Sequence, residues 1–303
     1  MKFVVEFPMP SAGVDPSLLS GAGVREVAEV LEGTGFDAVC FTDHPAPSAA
    51  WLENSGHQTF DPLAALAYCA GVTRRLHVMT HCLVIPYRNP LVTAKALATL
   101  DLMSEGRLIV VAGTGYLTSE FEILGVDMAA RNEVFDESVR LMSSAWTHPT
   151  FDVEIADGTV EQVSSVPAPH QNGGPPIWVA GNSTRARRRA TKQAGWSPIL
   201  MSESIAQMTK TAPLTLEELR RHASDLREQA TAEGRPRPTV QVQTPMSRYL
   251  QRPPSVEEHR DHLGELAEAG VDSFIVMPPG RNREELVDLL ERYADDFIRA
   301  SAA

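Results

Sequence analysis

Apolar residues along this chain follow two rhythms, short β-type runs and longer stretches with a helical period, and the two alternate almost without a break. An apolar run over residues 2–7 predicts a first strand. Val24, Val27, Ala28 and Leu31 then mark one face of a helix over 21–34, which Gly33 and Gly35 bring to an end. The next strand runs from Asp37 to Phe41. Asp61-Pro62 opens a helix reaching about Thr73, with Asp61 as N-cap and Pro62 at the first helical position. Further strands are predicted over 76–85, 107–112, 177–180, 197–201, 239–246 and 272–277, and further helices over 91–103, 132–146, 184–193, 215–233, 255–269 and 282–299. About eight strands alternating with about eight helices is the pattern of a single (β/α)8 TIM barrel, an α/β fold occupying residues 1–303 as one domain.

Four pieces exceed a minimal barrel: 44–60, 114–131, 148–176 and 202–214. The first, second and last follow strands, and so belong to the C-terminal face where barrel enzymes keep their sites. The third is rich in Pro and Gly. All are expected to act as lids or walls. Arg235-Pro236-Arg237-Pro238 reads as a short rigid connector, because the alternation resumes at once, and no internal repeat is present.

Hydrophobic residues make up 43% of the 303, enough for a large core, yet no window approaches the roughly 18 uninterrupted apolar residues of a membrane span. The first seven residues enter a strand directly, without the regions of a secretory signal, so the cytoplasm is the expected compartment. Cys40, Cys69 and Cys82 lack metal-type spacing and read as reduced core thiols. A net charge of -12 opposes general affinity for nucleic acid or an anionic membrane. The local exception is Arg185, Arg187, Arg188, Arg189 and Lys192 on one predicted helix, which reads equally well as a solvated face.

Candidate chemistry sits where strands give way to loops. Asp43-His44 ends the second strand: an imidazole can exchange a proton with a substrate near neutral pH, and a neighbouring carboxylate can set its tautomer. Gly181-Asn182-Ser183-Thr184 lies between a strand and a helix in a late βα loop, where free N–H groups and hydroxyls suit a phosphate; an ordinary N-cap is the alternative. Thr80-His81-Cys82 lies inside the third strand, where an inward histidine needs a polar or aromatic neighbour. Gly113-Thr114-Gly115-Tyr116 brings backbone to the barrel mouth. Glu6, ending the first strand, faces the mouth as an acid or base, or is simply salt-bridged or exposed. The histidines lack His-x-His or His-Glu-x-x-His spacing, which disfavours a metal-dependent hydrolase, and no metal site is expected.

Gly35-Phe36-Asp37-Ala38-Val39 with Thr42-Asp43-His44, Arg75-Leu76, Pro86-Tyr87-Arg88-Asn89-Pro90, Ala94-Lys95, Ala98-Thr99-Leu100-Asp101, Gly106-Arg107, Gly113-Thr114-Gly115, Pro175-Pro176-Ile177-Trp178-Val179-Ala180-Gly181-Asn182-Ser183 and the closing Ala269-Gly270-Val271-Asp272 together resemble the bacterial luciferase-like superfamily over about the whole chain. The Asp-His after the second strand resembles the branch that uses the deazaflavin coenzyme F420. The resemblance implies a (β/α)8 barrel with a flavin or deazaflavin at its C-terminal mouth, usually in a homodimer, and a non-proline cis peptide in the third strand, here His81-Cys82, behind the ring. It further implies that Asp43 contacts the cofactor head, that Gly113, Thr114 and Gly115 flank the ring, and that Gly181, Asn182, Ser183 and Thr184 hold the phosphate. His44 is then the proton donor or acceptor beside the hydride-transferring carbon. Arg185, with Arg188 or Arg189, would meet the anionic oligoglutamate tail that F420 has and FMN lacks.

The expected function is therefore an F420-dependent oxidoreductase acting on a small organic substrate. An FMN-dependent luciferase-like monooxygenase and a non-catalytic flavin-binding barrel are the alternatives. Cys40-Phe41 stands where the superfamily commonly has a tryptophan-containing pair, and Tyr116-Leu117 replaces its more usual tryptophan, so substrate choice does not transfer.

Overall fold

Alternation along each strand sends one set of side chains inward and the other outward, and the sheet closes on that pattern. The computed structural model describes residues 1–10, 12–54, 56–201, 206, 211–251 and 254–299. Its strands are β1 (Lys2–Glu6), β2 (Ala38–Phe41), β3 (His77–Val84), β4 (Leu108–Gly113), β5 (Phe151–Ile155), β6 (Gly158–Val163), β7 (Ile177–Ala180), β8 (Gly195–Ser197), β9 (Thr239–Val242) and β10 (Ser273–Val276). Eight of them form a closed parallel barrel in the order β1, β2, β3, β4, β7, β8, β9, β10, with β10 returning to β1. This is the expected (β/α)8 barrel. The pair β5 and β6 is a separate antiparallel hairpin.

The helices are α1 (Gly21–Thr34), α2 (Ala49–Asn54), α3 (Pro62–Val72), α4 (Pro90–Met103), α5 (Thr118–Ile123), α6 (Arg131–Thr147), α7 (Thr184–Ala190), α8 (Leu216–Ala232), α9 (Val256–Glu268) and α10 (Arg283–Tyr293). Sequence signals account for their ends. Ser20 caps α1 by accepting from Gly23 N at 3.1 Å, and Gly35 closes it at φ 94°, a conformation that penalises any side chain. Asp61 caps α3 ahead of Pro62, as expected. Capping boxes start α8 (Thr215 with Glu218) and α9 (Ser255 with Glu258). Among these helices, none is long and apolar enough to cross a membrane.

Inward residues Val4, Ala38, Cys40, Met79, Val111 and Trp178 pack as one cluster inside the barrel, while Val5, Val39, Phe41 and Val78 face the helices in a second, larger cluster. The N-terminal end of the barrel is pinned by Arg107, whose guanidinium donates to Ala70 O, Thr73 Oγ1, Leu76 O and Ser104 O at 2.7–3.0 Å. All three cysteines are free thiols.

Several expected boundaries shift. The strand expected over 197–201 lies at Gly195–Ser197. The strand expected over 239–246 ends at Val242, because Thr244 N donates to Ser247 Oγ and the chain turns into the 3-10 segment Pro245–Gln251. The helix expected to reach residue 299 gives way after Tyr293 to one π-type turn, Ala294–Ile298. Residues 148–176, expected to be irregular, contain the β5–β6 hairpin; β6 is exposed at all but its last residue, so no apolar rhythm announces it. Of the wall expected over 202–214, residues 202–205 and 207–210 lie outside the described residues.

Under α9 and α10, His259 is completely buried in an aromatic nest. Its ring stacks on Tyr249 at 4.3 Å, lies 4.8 Å from Phe297, and hydrogen-bonds Tyr293 Oη through Nε2 at 3.0 Å. Burial, reinforced by the charge of His262, lowers its pKa to about 4. The unfolded chain therefore binds a proton here that the folded chain refuses between pH 6.5 and about 4, so stability falls as pH drops through that window. From pH 7.5 to 4.5 this group alone should remove about 2 kcal/mol. Chemical denaturation of His259→Phe at the two pH values is expected to show a correspondingly smaller acid loss; an unchanged loss would clear His259 of the effect.

Candidate active site

At the C-terminal mouth the strongest local constraint is a buried charge. Asp43, just past the end of β2, is 1% exposed. Its carboxylate receives a two-pronged ion pair from Arg88, Nη1 to Oδ2 at 2.5 Å and Nη2 to Oδ1 at 2.8 Å, and Val84 N donates to Oδ2 at 2.9 Å. Both oxygens are thus engaged inside the protein. Asp43 ties the loop after β2 to the end of β3, and so fixes the backbone from which His44 projects.

His44 meets a residue that sequence reasoning missed. Its Nδ1 lies 3.0 Å from Oε2 of Glu120, a fully buried carboxylate in α5. Glu120 also accepts from Ala46 N at 3.1 Å and from Tyr87 Oη at 3.1 Å. A carboxylate accepts, so Nδ1 carries the proton in this bond and Nε2 is the free atom of the ring. Trp51 from α2 lies 4.6 Å from the imidazole, His57 contacts it edge-on at 5.0 Å, and Tyr116 does so at 6.0 Å. The insertions 44–60 and 114–131 therefore build walls around His44. Burial, with the charge of Glu120, pushes the Tyr87 hydroxyl well up, leaving it a donor throughout the ordinary pH range.

A second polar array crosses the barrel interior. Glu6 Oε2 accepts from His81 Nδ1 at 3.3 Å, Ser197 Oγ donates to His81 Nε2 at 3.5 Å, Gln241 Nε2 donates to Ser197 Oγ at 3.3 Å, and Ser273 Oγ donates to Gln241 Oε1 at 3.3 Å. The inward histidine thus has its polar neighbours. Burial by itself would raise the Glu6 pKa, but the hydrogen bond and charge of His81, helped by His57 and Arg248, outweigh it and hold the carboxyl below its ordinary value. Glu6 is therefore a charged, hydrogen-bonded carboxylate near neutral pH. Cys40 Sγ approaches the same two residues, with donor atoms of all three within 4.8 Å of one another. Burial first, then the Glu6 charge, push its thiol well up, so it remains a neutral thiol.

The remaining expected residues separate. The His81–Cys82 peptide is cis, as the resemblance implies. Cys82, Thr114, Gly115, Ala180 and Gly181 are partly exposed beside it. Gly113 allows close packing, since a Cβ there would lie 2.6 Å from Cys82 Sγ. Thr80 is fully buried, and its hydroxyl donates to Val111 O at 2.9 Å, across to β4. Asn182 is engaged within the protein too. Its side chain donates to Ile199 O and Ala212 O and accepts from Ile199 N, at 2.7–2.9 Å, and is 1% exposed. It locks loops together. Ser183 caps α7 through Ala186 N, and Thr184 accepts from Arg187; both are exposed at the mouth. Arg185 turns to Glu133 and Asp136 of α6 at 2.9 and 3.1 Å, and Arg189 pairs with Asp136 at 2.6 Å. Two cations of the expected basic cluster, Arg185 and Arg189, are therefore neutralised, whereas Arg187, Arg188 and Lys192 have no ion pair among the described residues.

On the opposite half of the mouth a cleft of about 540 Å³ opens between the ends of β9, β10, β1 and β2, lined among others by Glu6, His57, Arg248 and Arg281. His57 joins the two halves. Burial, the largest influence, keeps its pKa below the ordinary value, so its imidazole is neutral near pH 7.

With this geometry in view, the family profile described as luciferase-like monooxygenase matches residues 1–297. The chain belongs to the luciferase-like monooxygenase family. It is similar to the alkanal monooxygenase alpha chain of Photorhabdus luminescens, with 25% identity over 191 residues that cover 63% of this chain and 50% of that one. It is also similar to the F420-dependent glucose-6-phosphate dehydrogenase of Rhodococcus erythropolis, 31% identical over 170 residues that cover 54% of this chain and 49% of that one. The match spans about half the length of these relatives. Among solved structures, monooxygenase RslO1 from Streptomyces bottropensis superposes with a TM-score of 0.78 over 99% of this chain and 100% of that one at 22% identity, a likeness of fold.

In this luciferase-like chain, Glu120 was hidden from sequence reading because it stands in an insertion, 76 residues from His44, with no strand end beside it. The only local signal is the Gly113–Gly115 turn that starts the insertion. Arg88 lies in the Pro86–Pro90 motif, where nothing local points to Asp43 as its partner. The ion pair it forms is testable. Arg88→Met strands Asp43 as a buried, unpaired charge and should cost about 3–5 kcal/mol. Denaturant unfolding is expected to show part of that loss recovered in Arg88→Met with Asp43→Asn; a single variant as stable as the parent would show that the pair does not hold the loop.

Proposed function

We propose that this luciferase-like chain is an oxidoreductase that moves a hydride between coenzyme F420 and a small organic substrate. The observation that carries the reading is the His44–Glu120 pair at the barrel mouth, with His44 Nε2 free of protein partners among the described residues, beside a cleft of about 540 Å³. Glu120 orients the imidazole through Nδ1. Nε2 takes the hydroxyl proton when the substrate is oxidised and returns it on reduction. Trp51, Tyr116 and His57 narrow the access of water to that atom.

The half of the mouth formed by β3, β4 and β7 fits a flat ring system with a phosphate. Around the cis peptide it offers small side chains and backbone, and burial holds the Cys82 thiol up at about 12, so it presents no charge. Cys82, Thr114 and Gly115 would border the ring, and Gly181, Ser183 and Thr184 would face the phosphate. When bound, a deazaflavin supplies a two-electron hydride donor or acceptor. Resemblance to the F420-dependent glucose-6-phosphate dehydrogenases supports this choice. Resemblance to alkanal monooxygenase, together with the neutralised Arg185 and Arg189, keeps an FMN-dependent monooxygenase as the second reading.

Parallel titration of the purified protein with F420 and FMN is expected to give the tighter binding for F420; tighter FMN binding would replace the first reading with the second. His44→Ala should leave deazaflavin affinity close to that of the parent and lower turnover by roughly 100-fold or more. Glu120→Gln should lower it at least about tenfold, because the tautomer is no longer fixed. Unchanged turnover in both variants would remove the pair from catalysis.

A further inference from the structure

We propose that Arg248 and Arg281 form a subsite for an anionic group on the substrate, a carboxylate or a phosphate, so that the substrate class is a hydroxy acid or a phosphorylated alcohol, or the matching carbonyl compound. The inference rests on the hydride-transfer reading for the identity of the substrate, and on the cleft alone for the binding of the anion.

The two arginines come from different loops that are bonded to each other. Arg248 lies in the turn after β9, and Arg281 follows Pro278-Pro279-Gly280 after β10. Met277 N donates to Ser247 O at 2.7 Å, and Gln251 Nε2 donates to Met277 O at 3.0 Å. Asp15 N donates to Gly280 O at 2.8 Å, and Arg283 N to Asp15 Oδ2 at 2.8 Å. A Cβ on Gly280 would lie 2.7 Å from Pro8 O, so only glycine lets this loop rest against the one after β1. Both guanidiniums are thus presented at one cleft from a fixed wall, and such forks match the paired oxygens of a carboxylate or phosphate.

Both side chains are exposed and lack an ion pair or side-chain hydrogen bond among the described residues, whereas Arg88, Arg185, Arg189 and Arg227 are all paired. Two carboxylates border the same cleft. Glu6 has Oε2 engaged by His81, and Glu285 is exposed at the start of α10. Neither is within ion-pair distance of Arg248 or Arg281. His57, neutral near pH 7, separates this wall from His44, so an anion held at the arginines leaves the rest of a small substrate to reach Nε2. The anionic group anchors the substrate and takes no part in the bond changes.

The test is phenylglyoxal modification of cofactor-free protein, read residue by residue by mass spectrometry, with inorganic phosphate in one arm and acetate in another. Arg74, exposed at the opposite end of the barrel, is the control. At an anion concentration ten times its Kd, Arg248 and Arg281 should be modified roughly tenfold more slowly, with Arg74 unchanged. Protection by phosphate alone assigns a phosphorylated substrate, and protection by acetate a carboxylate. No protection, or equal protection of Arg74, overturns the subsite. Because cofactor is absent, the protection result is independent of the F420 and FMN titrations. In loaded enzyme, an anionic alcohol should be preferred over its uncharged analogue through KM, and Arg248→Met with Arg281→Met should abolish the preference; an undiminished preference overturns the proposal.

Discussion

A carboxylate removed from water must find compensating donors, and the mouth of this barrel is organised around one that does. Asp43 sits at the end of β2 with almost no exposure, its charge balanced by Arg88 and by the amide of Val84. Leaving either oxygen unpaired would be costly, so the chain after β2 and the chain after β3 are held in one relation. His44, the next residue, inherits that fixed origin, and Glu120 can then meet it from the far side of α5. The position of the imidazole is in this sense set by the carboxylate of the residue before it.

The barrel interior obeys the same rule with weaker partners. His81, Ser197, Gln241 and Ser273 come from four strands, and each donates toward the next until the series ends on Glu6. A closed parallel barrel brings inward residues of distant sequence into one layer, which is why polar groups on separate strands satisfy one another here. The outcome is a floor of settled charge beneath the mouth, with Cys40 held there as a neutral thiol.

Above that floor the mouth divides into two halves. The loops after β3, β4 and β7 present backbone, small side chains and a capped helix, whereas the loops after β9, β10 and β1 present arginine and proline around an open cleft. His44 and His57 stand between them. On the proposed reading, one half holds the planar group, the other the substrate, and His44 Nε2 lies at the boundary.

The sequence by itself determined the barrel and the face on which the chemistry lies. Strand and helix periods are local properties, as are the caps at Asp61-Pro62 and Ser255-Val256-Glu257-Glu258, and His44 was legible because it marks a strand end. The cis peptide at His81-Cys82 was legible only through the resemblance. Which residues meet was set by the packing of the barrel. Glu120 reaches His44 across 76 residues, Asp43 turns to Arg88, Asn182 locks two loops, Thr80 faces β4, and Arg185 and Arg189 are drawn to the acids of α6. Each of these depends on the distance between elements far apart in the chain. A residue's type states which bonds it can make, and the packing of the barrel states which partner arrives first.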